Sequence, residues 1–290
     1  MKYLTTSFLI CLFLAGCGGS DEEGAVADPT TPDTTSTPPG TTNPPTAGTG
    51  WYRPPVQASW QLQLQGTLNT GYDVDIYDID LFDTPATTLS DIQAAGHHVI
   101  CYFSGGSYEN WRTDAGDFPS SVLGNNLDGW PGEKWLDIRS DSVRNIMLTR
   151  LDLAVAKGCD GVDVDNMDGY TNNPGFPLTA ADQLDYNRFM ANAAHTRNLA
   201  IALKNDLDQI GDLVDDFDLA VNEECFDYNE CDLLNPFIQQ GKPVLQVEYA
   251  QTYVNNAATR SALCAKARQM SFSTLILPLD LDDSFRFSCD

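Results

Sequence analysis

Residues 158–166 read GCDGVDVDN, and this stretch predicts a buried strand that ends in acidic side chains. Because side chains alternate across a strand, Val162 and Val164 share one face, while Asp163 and Asp165 share the other. In a barrel the valines would face the helices and the aspartates the interior. Two inward carboxylates repel each other and lose hydration, so a purely structural strand would not use them. Asp165 is nearer the strand end, which predicts that it meets a substrate, while Asp163 lies deeper.

Eight strand-like runs occur along the chain, and helix-like segments separate many of them. Strands that alternate with helices indicate parallel β/α units, and eight units favour an α/β fold of the closed (β/α)₈ TIM-barrel type, as a single domain. No GxGxxG motif follows the first run, which argues against dinucleotide binding. The predicted strands are 60–65, 73–79, 98–104, 161–165, 200–204, 219–223, 244–249 and 274–279, and the predicted helices are 142–157, 180–198, 234–240 and 255–270.

The C-terminal ends of these runs are polar, and in a TIM barrel the active site is built at that end of the strands. Glu223 ends the sixth run, two strands away from Asp165, so the two can face each other across the barrel mouth. Glu224 comes next, and alternation alone does not decide which glutamate points inward. Hydrolysis of a glycosidic bond needs two carboxyl groups, so the pair predicts a glycoside hydrolase. A calcium site or a structural hydrogen-bond network is the alternative, although the Gly of an EF-hand loop is missing.

Two motifs are similar to signatures of family 114 glycoside hydrolases, the endo-α-1,4-polygalactosaminidases. They are GCDGVxxDNxDGY over 158–170 and NExCF over 222–226. The resemblance covers nearly the whole chain from Trp60 onward, but it is weaker over 278–282. It extends to the segments 77–84, 100–102, 104–106, 135–139 and 203–206.

The resemblance implies a (β/α)₈ barrel that acts on α-1,4-linked galactosamine polymers, with Asp165 and Glu223 as the catalytic pair. Glu224 stands where the family commonly has Gln, which favours Glu223 as the acid. We expect Asp165 to act as the nucleophile, kept ionised by Lys204, and Glu223 as general acid and then base in a retaining reaction. An inverting reaction remains open, because the carboxyl separation that decides it is not in the sequence.

Further polar and aromatic residues near the predicted strand ends are candidates for sugar contacts. Carboxylates suit free amino groups, and aromatic rings suit the apolar face of a pyranose. For each residue alone, a structural hydrogen bond or barrel packing is an equally good interpretation. The candidates are Asp78, Asp80, Tyr102, Asp163, Lys204, Asn205, Glu248 and Tyr249, while Trp111, Trp130 and Trp135 are either core residues or sugar platforms.

Residues 1–50 predict an export signal, a lipid anchor and a linker. Residues 1–16 are a lipoprotein signal peptide, because an apolar run too short to span a bilayer leads into LAGC, which resembles the lipobox of bacterial lipoproteins. The resemblance implies acylation of Cys17 and a lipid-anchored location in the bacterial cell envelope, at the outer membrane or cell surface. An ordinary cleaved signal is the alternative. Residues 17–50, rich in Thr and Pro, predict a disordered linker, and 51–290 suit one barrel domain.

The chain carries a formal net charge of −25. This charge argues against binding of nucleic acid or anionic lipid, so we expect membrane contact through the lipid anchor only. It would attract a cationic galactosamine polysaccharide, the predicted partner, or it only confers solubility. We expect a monomer without a cofactor. Two other functions remain open, a catalytically silent carbohydrate-binding lipoprotein and a calcium-dependent surface lipoprotein.

Six cysteines lie beyond the predicted signal and anchor, at 101, 159, 225, 231, 264 and 289. An even number in an exported chain predicts three disulfides. Proximity in sequence suggests 225 with 231 and 264 with 289, which leaves 101 with 159, although other pairings remain open. No CxxC motif occurs, and the three histidines are not spaced as ligands, so no metal site is expected.

Overall fold

A parallel β-sheet forms the centre of the computed structural model, which describes residues 50–290. Its strands are short and almost entirely buried, because helices or barrel interior cover both faces. The strands of the protein are β1 (Trp60–Gln63), β2 (Ile76–Asp80), β3 (His98–Ser104), β4 (Ser107–Glu109), β5 (Leu123–Asn126), β6 (Glu133–Leu136), β7 (Gly161–Asp165), β8 (Ala200–Lys204), β9 (Leu219–Glu223), β10 (Val244–Glu248), β11 (Ser273–Ile276) and β12 (Phe287–Ser288).

The sheet runs in the order β1-β2-β3-β7-β8-β9-β10-β11, every neighbouring pair parallel, with β12 antiparallel to β11. The two edges of the sheet approach each other. The indole of Trp60 in β1 donates to the carbonyl of Ser273 in β11 over 2.9 Å, and Arg286, just before β12, donates to the carbonyl of Trp60 over 2.8 Å. The predicted single-domain (β/α)₈ TIM barrel is therefore confirmed.

Helices connect the parallel strands and cover the outside of the sheet. The two longest begin at side-chain caps: Ser140 accepts from Ser142 N, and Thr179 forms a capping box with Asp182. The first of these ends at Gly158, whose φ of 87° suits a residue without a Cβ. The helices are α1 (Ala86–Ala94), α2 (Asp141–Lys157), α3 (Ala180–Thr196), α4 (Ile210–Leu213), α5 (Cys225–Tyr228), α6 (Asn235–Gln239), α7 (Gln251–Asn255) and α8 (Ala257–Gln269).

Apolar side chains form two separate layers, one on each face of the sheet. Val162 and Val164 of β7 pack in the outer layer with residues of α2 such as Leu151, as their alternation predicted. The inner layer fills the lower part of the barrel with residues such as Ile100 and Val221. Toward the C-terminal ends of the strands the interior side chains become polar, and these polar side chains form the site.

Some boundaries differ from the prediction, and some elements were missed. The second strand begins at Ile76 rather than at residue 73, and the last parallel strand ends at Ile276, so Asp280 lies in the turn that follows it. The prediction missed α1, whose first turn has neither a side-chain cap nor an acidic residue. It also missed the small antiparallel sheet β4-β6-β5, which leaves the barrel between β3 and α2.

Three disulfides join Cys101 to Cys159, Cys225 to Cys231 and Cys264 to Cys289, which confirms the suggested pairing. Cross-links of this number suit an oxidising compartment outside the cytosol. The predicted signal peptide, Cys17 and the linker up to residue 49 lie outside the described residues. Within residues 50–290, no helix has the length and apolar character needed to cross a membrane.

Candidate active site

The side chain of Lys204 lies between two carboxylates at the C-terminal ends of neighbouring barrel strands. Its Nζ is 3.0 Å from Asp165 Oδ1 and 3.3 Å from Glu223 Oε2. The two oxygens are therefore no farther apart than the sum of those distances, 6.3 Å. The lysine is buried, yet the charges of Asp165, Glu223 and Asp163 raise its pKa well above the usual value despite desolvation. It remains a cation that holds the two carboxylates at a fixed separation.

Asp165 accepts three hydrogen bonds. Tyr102 donates its hydroxyl to Oδ2 over 2.7 Å, and the backbone N–H of Asn166 and the ammonium of Lys204 donate to Oδ1 over 2.8 and 3.0 Å. Burial by itself would raise the pKa of this carboxyl, but Lys204 and the donated hydrogen bonds outweigh burial and hold the pKa below its usual range. Asp165 is therefore ionised at neutral pH, the state that a nucleophile needs.

Glu223 is oriented by two neighbours from the adjacent strand ends. The hydroxyl of Tyr249 donates to Oε1 over 2.6 Å, and the amide of Asn205 donates to Oε2 over 3.1 Å. Asn205 also accepts from the backbone N–H of Glu223 over 3.0 Å, so one side chain fixes both the backbone and the carboxylate. Glu223 lines the cavity, whereas Glu224 does not.

The residues directly after three neighbouring strands all have left-handed backbone conformations. They are Asn166 with φ 59° after β7, Asn205 with φ 53° after β8 and Glu224 with φ 61° after β9. Such conformations are uncommon for residues with a Cβ and concentrate at functional sites. The turn after β3 is equally constrained, because a Cβ on Gly106 would overlap the backbone carbonyl of Asn166. These sharp turns direct the strand-end side chains into one cavity.

A buried acidic pair lies beneath Lys204 in the barrel interior. Asp78 and Asp163 have no exposed surface, and within the described chain none of their oxygens accepts from a conventional donor. Burial raises the pKa of Asp163 to about 7, and the charges of Asp165 and Glu223 add to this against Lys204. Burial and the charge of Asp163 raise the pKa of Asp78 well above its usual value. Both shifts favour the protonated forms, so the pair avoids two unpaired buried charges by retaining a proton.

A cavity of about 1140 Å³ opens above these groups. Nine acidic and only two basic side chains line it, and both basic residues, Arg112 and Lys204, form ion pairs with acidic ones. Seven of the ten predicted site residues line this cavity, namely Asp165, Glu223, Asp80, Tyr102, Lys204, Asn205 and Tyr249.

Three predicted sugar contacts do not reach the cavity surface, and a fourth is already engaged. Asp78, Asp163 and Glu248 are fully buried and are absent from the lining. Glu248 instead accepts from the backbone N–H of Phe226 and thus supports the loop after β9. Asp80 lines the cavity, but Arg112 binds both of its oxygens, over 3.0 and 2.7 Å. For these four the structural interpretation, left open at the sequence level, fits the geometry better.

The sequence prediction missed several cavity residues that lie outside the barrel strands. Asp168 lies in the turn after β7, where burial and then the charge of Asp165 raise its pKa to about 6. Its position three residues after Asp165, within the motif of 158–170, was the available signal. Glu133 of β6 lines the cavity too, and no motif or strand pattern pointed to it. Trp111 and Trp130 line the cavity and are 51% and 44% exposed, so they are not core residues.

A family model for glycoside-hydrolase family GH114 matches residues 41–290. This chain belongs to glycoside hydrolase family 114. It is 48% identical to Aspergillus fumigatus Ega3, whose crystal structure in complex with galactosamine superimposes with a TM-score of 0.79 and covers 83% of this chain and 99% of that one. An uncharacterized protein of Deinococcus radiodurans is 28% identical over 92% of this chain and 93% of its own length.

The fold of this family 114 glycoside hydrolase also resembles the glycoside hydrolase domain of PelA from Pseudomonas aeruginosa. The TM-score is 0.62, and the alignment covers 78% of this chain and 96% of that one. At 13% identity this likeness concerns the fold alone.

Among residues 50–290 no group of three or more His, Cys, Asp or Glu side chains is arranged to hold a metal ion. The site thus offers an ionised carboxylate, a second carboxyl group and a cation between them.

Proposed function

We propose that this family 114 glycoside hydrolase cleaves α-1,4-linked galactosamine polymers at internal bonds, by a retaining mechanism, at the bacterial cell surface. The observation that carries the proposal is the pair Asp165 and Glu223, held by Lys204 at the C-terminal face of the barrel. The endo mode and the α-1,4 linkage come from the family resemblance. Monomeric action without a cofactor remains part of the proposal.

In the first step Asp165 attacks the anomeric carbon of the bound sugar. The glycosidic C–O bond breaks as Glu223 transfers its proton to the leaving oxygen, which yields a glycosyl ester on Asp165. In the second step Glu223 takes a proton from a water molecule, the water oxygen attacks the anomeric carbon, and Asp165 leaves as a carboxylate.

The separation of the two carboxylates supports this retaining course. Retaining glycosidases hold their carboxyl groups about 5 to 5.5 Å apart, and inverting enzymes about 6.5 to 9.5 Å, because a water molecule must fit between. The oxygens Asp165 Oδ1 and Glu223 Oε2, which contact the same ammonium and are at most 6.3 Å apart, favour the shorter separation. Tyr249 and Asn205 hold the side chain of Glu223 at the cavity, which orients its carboxyl group for proton transfer to the leaving oxygen.

The acidic cavity supports a cationic substrate. Its excess of carboxylates would concentrate a polymer that carries free amino groups. The likeness to Ega3, which was crystallised with galactosamine, supports the same sugar here. Tyr102, Lys204, Asn205 and Tyr249 lie within reach of the sugar at the cleavage point, and Trp111 and Trp130 offer exposed rings for units farther along the chain.

The decisive experiment measures oligosaccharide release from purified polygalactosamine, deacetylated and N-acetylated, by the protein and by its Asp165→Asn and Glu223→Gln variants. We expect oligomers from the wild type and almost none from either variant. Circular dichroism and thermal melting serve as the control that both variants are folded. A folded wild type that releases nothing from either polymer would exclude this substrate and favour the binding-protein interpretation.

Two further measurements test the finer parts of the proposal. Proton NMR during hydrolysis identifies the first anomer of the product, and an inverted anomer would contradict Asp165 as nucleophile. Metabolic labelling with a fatty-acid analogue, followed by fractionation, tests the anchor, with Cys17→Ser as the variant. We expect the variant to lose both the label and its association with the envelope. A wild type that is secreted without the label would contradict the anchor.

A further inference from the structure

The small antiparallel sheet β4-β6-β5 brings two glutamates to the cavity in opposite electrostatic situations. Glu109 and Glu133 are paired directly across β4 and β6, and both line the cavity. Glu109 lies 2.8 Å from Arg112 and 3.8 Å from Arg150. Glu133 forms no ion pair with any residue of the described range 50–290. One member of the pair is neutralised by the protein, and the other is not.

Glu133 is also held in a fixed orientation. The hydroxyl of Ser107 donates to its Oε2 over 2.7 Å. The Ser107 hydroxyl has only one proton, so in its 2.7 Å contact with Ser104 it accepts, and Ser104 donates. Within the described chain, the other oxygen of Glu133 has no hydrogen-bond partner. The result is a preoriented carboxylate with one oxygen free.

Glu133 is costly to keep in this place without a ligand. Its side chain is only 8% exposed, and an unpaired buried charge loses hydration without compensation. Burial raises its pKa to about 7, and the charges of Glu109 and Asp165 contribute against the hydrogen bond from Ser107. The two basic side chains of the cavity are committed to other carboxylates. Within the cavity, a cation that keeps Glu133 ionised therefore has to come from a bound molecule.

The position of Glu133 relates it to the cleavage point. Asn166, which donates its backbone N–H to Asp165, directs its side-chain amide to Ser104 Oγ at 2.9 Å and to Ser107 Oγ at 3.4 Å. Glu133 thus belongs to the same hydrogen-bonded network as Asp165, with Asn166 and two serines between them. Because these residues lie between Glu133 and Asp165, Glu133 would contact a substituent of a bound sugar rather than the bond that is cleaved.

We propose that Glu133 is a specificity-determining residue that binds the free ammonium group of a galactosamine unit and thereby selects deacetylated over N-acetylated polymer. This inference rests on the proposed function for its choice of sugar. An ammonium donates up to three charge-assisted hydrogen bonds, and the free oxygen of Glu133 accepts one of them. An N-acetyl group carries no charge and adds bulk, so it gains nothing from Glu133.

The test compares the affinity of deacetylated and fully N-acetylated galactosamine oligomers for the protein with and without Glu133→Gln, by isothermal titration calorimetry. Every protein in this titration also carries Asp165→Asn, so that the oligomers are not cleaved. Glutamine keeps the shape and still accepts from Ser107. We expect the variant to bind the deacetylated oligomer about 10- to 100-fold more weakly and the acetylated oligomer within about twofold of the protein that retains Glu133. Asp128→Asn is the matched control, because it removes the same charge from an exposed residue of the same cavity.

Each outcome separates this inference from the proposed function. Equal losses for both oligomers, an equal loss in Asp128→Asn, or no binding of galactosamine oligomers by the protein that retains Glu133 would overturn the role of Glu133. A wild type that binds the deacetylated oligomer through Glu133 but cleaves no polymer would leave ammonium recognition standing and refute the hydrolase proposal. Thermal melting of each variant verifies that the fold is intact.

Discussion

Carboxylates at the two ends of the barrel have different surroundings, and strand β9 has an example at each end. Asp218, just before the strand, has a side chain only 2% exposed and four donors around it. They are the indole of Trp51, the guanidinium of Arg53, the ring of His195 and the backbone N–H of Ile201. Glu223, at the other end, faces a cavity and meets a cation that it shares with Asp165.

The same contrast recurs around the barrel. Asp75 accepts from the backbone N–H of Ser59, and Asp160 from that of Val99, so each acidic residue before a strand joins the start of a neighbouring one. At the C-terminal ends, carboxylates are crowded and the pKa of several is raised. The difference teaches that carboxylates with fixed donors occur at both ends, and that what separates the ends is the cavity. At the C-terminal end the carboxylates face that cavity and share the cation Lys204.

The largest expected effect is a loss of catalysis caused by changes at the C-terminal end of the barrel alone. Asp165→Asn and Glu223→Gln should each lower kcat by at least about a thousandfold, because a nucleophile or proton donor is lost. Glu223→Gln should leave the unfolding free energy near that of the wild type, whereas Asp165→Asn should lower it modestly, because Lys204 and the donated hydrogen bonds stabilise the ionised carboxylate. Reducing-end assays and denaturant titration give the two values. A severe loss of stability would mean that these residues are structural.

Lys204→Met tests whether the shared cation sets the ionisation of the site. Loss of the ammonium raises the pKa of Asp165, so a higher pH is needed to ionise the nucleophile. The acidic limb of the kcat/KM profile should therefore move to higher pH, with roughly a hundredfold lower rate at neutral pH. Profiles of both proteins measured over the same buffers provide the check. An unchanged acidic limb would contradict the proposed role of Lys204.

Asp218→Asn should produce the reverse pattern at the opposite end. Loss of the carboxylate leaves buried donors poorly satisfied, which should lower the unfolding free energy by roughly 2 kcal/mol. The kcat of the folded protein should not change, because the residue lies at the far end of β9. Urea titration and the release assay at low temperature measure both. If activity fell with stability unchanged, the division between the two ends would be wrong.

Asp163→Asn addresses a carboxyl whose pKa is raised in the fold, to about 7. Between the ordinary pKa near 4 and this value, the folded protein keeps a proton that the unfolded chain has lost, so rising pH destabilises the fold through this group. The variant should lose less stability than the wild type between pH 5 and pH 8, by roughly 2 to 3 kcal/mol, because each pH unit between the two pKa values corresponds to about 1.4 kcal/mol. Parallel pH dependences in urea titrations would contradict the raised pKa.

The smallest expected effect compares two tryptophans. Trp111→Ala removes an exposed ring of the cavity and should raise KM for polymer about threefold to tenfold with no change in Tm. Trp51→Ala removes a donor to Asp218 and a ring stacked on His195, so it should lower Tm and leave KM unchanged. Kinetics and melting curves of the two variants test this pair. If both variants changed KM and Tm in the same way, the proposed difference between a cavity tryptophan and a structural tryptophan would be wrong.

Much of the barrel could be predicted from the sequence, because burial of a strand on both faces leaves a local record. The strands at 98–104, 161–165, 200–204 and 219–223 agree with the structure at both ends. The alternation of valine and aspartate in 162–165 predicted which side chains face inward, and the strand end marked Asp165, whereas only the family resemblance favoured Glu223 over Glu224. The helix α1 and the sheet β4-β6-β5 have no comparable sequence pattern, because these elements are short and partly exposed.

The sequence by itself determined the barrel fold, the six cysteines available for disulfides and the clustering of acidic residues at the strand ends, because these depend on composition, periodicity and neighbours in the chain. Only the tertiary structure decided what each carboxylate does. Asp218, Glu248 and Glu133 look alike as acidic residues beside or within strands. Their donors come from distant segments or, for the free oxygen of Glu133, from nowhere in residues 50–290. Burial and long-range pairing set the charge state, and no local pattern contains either.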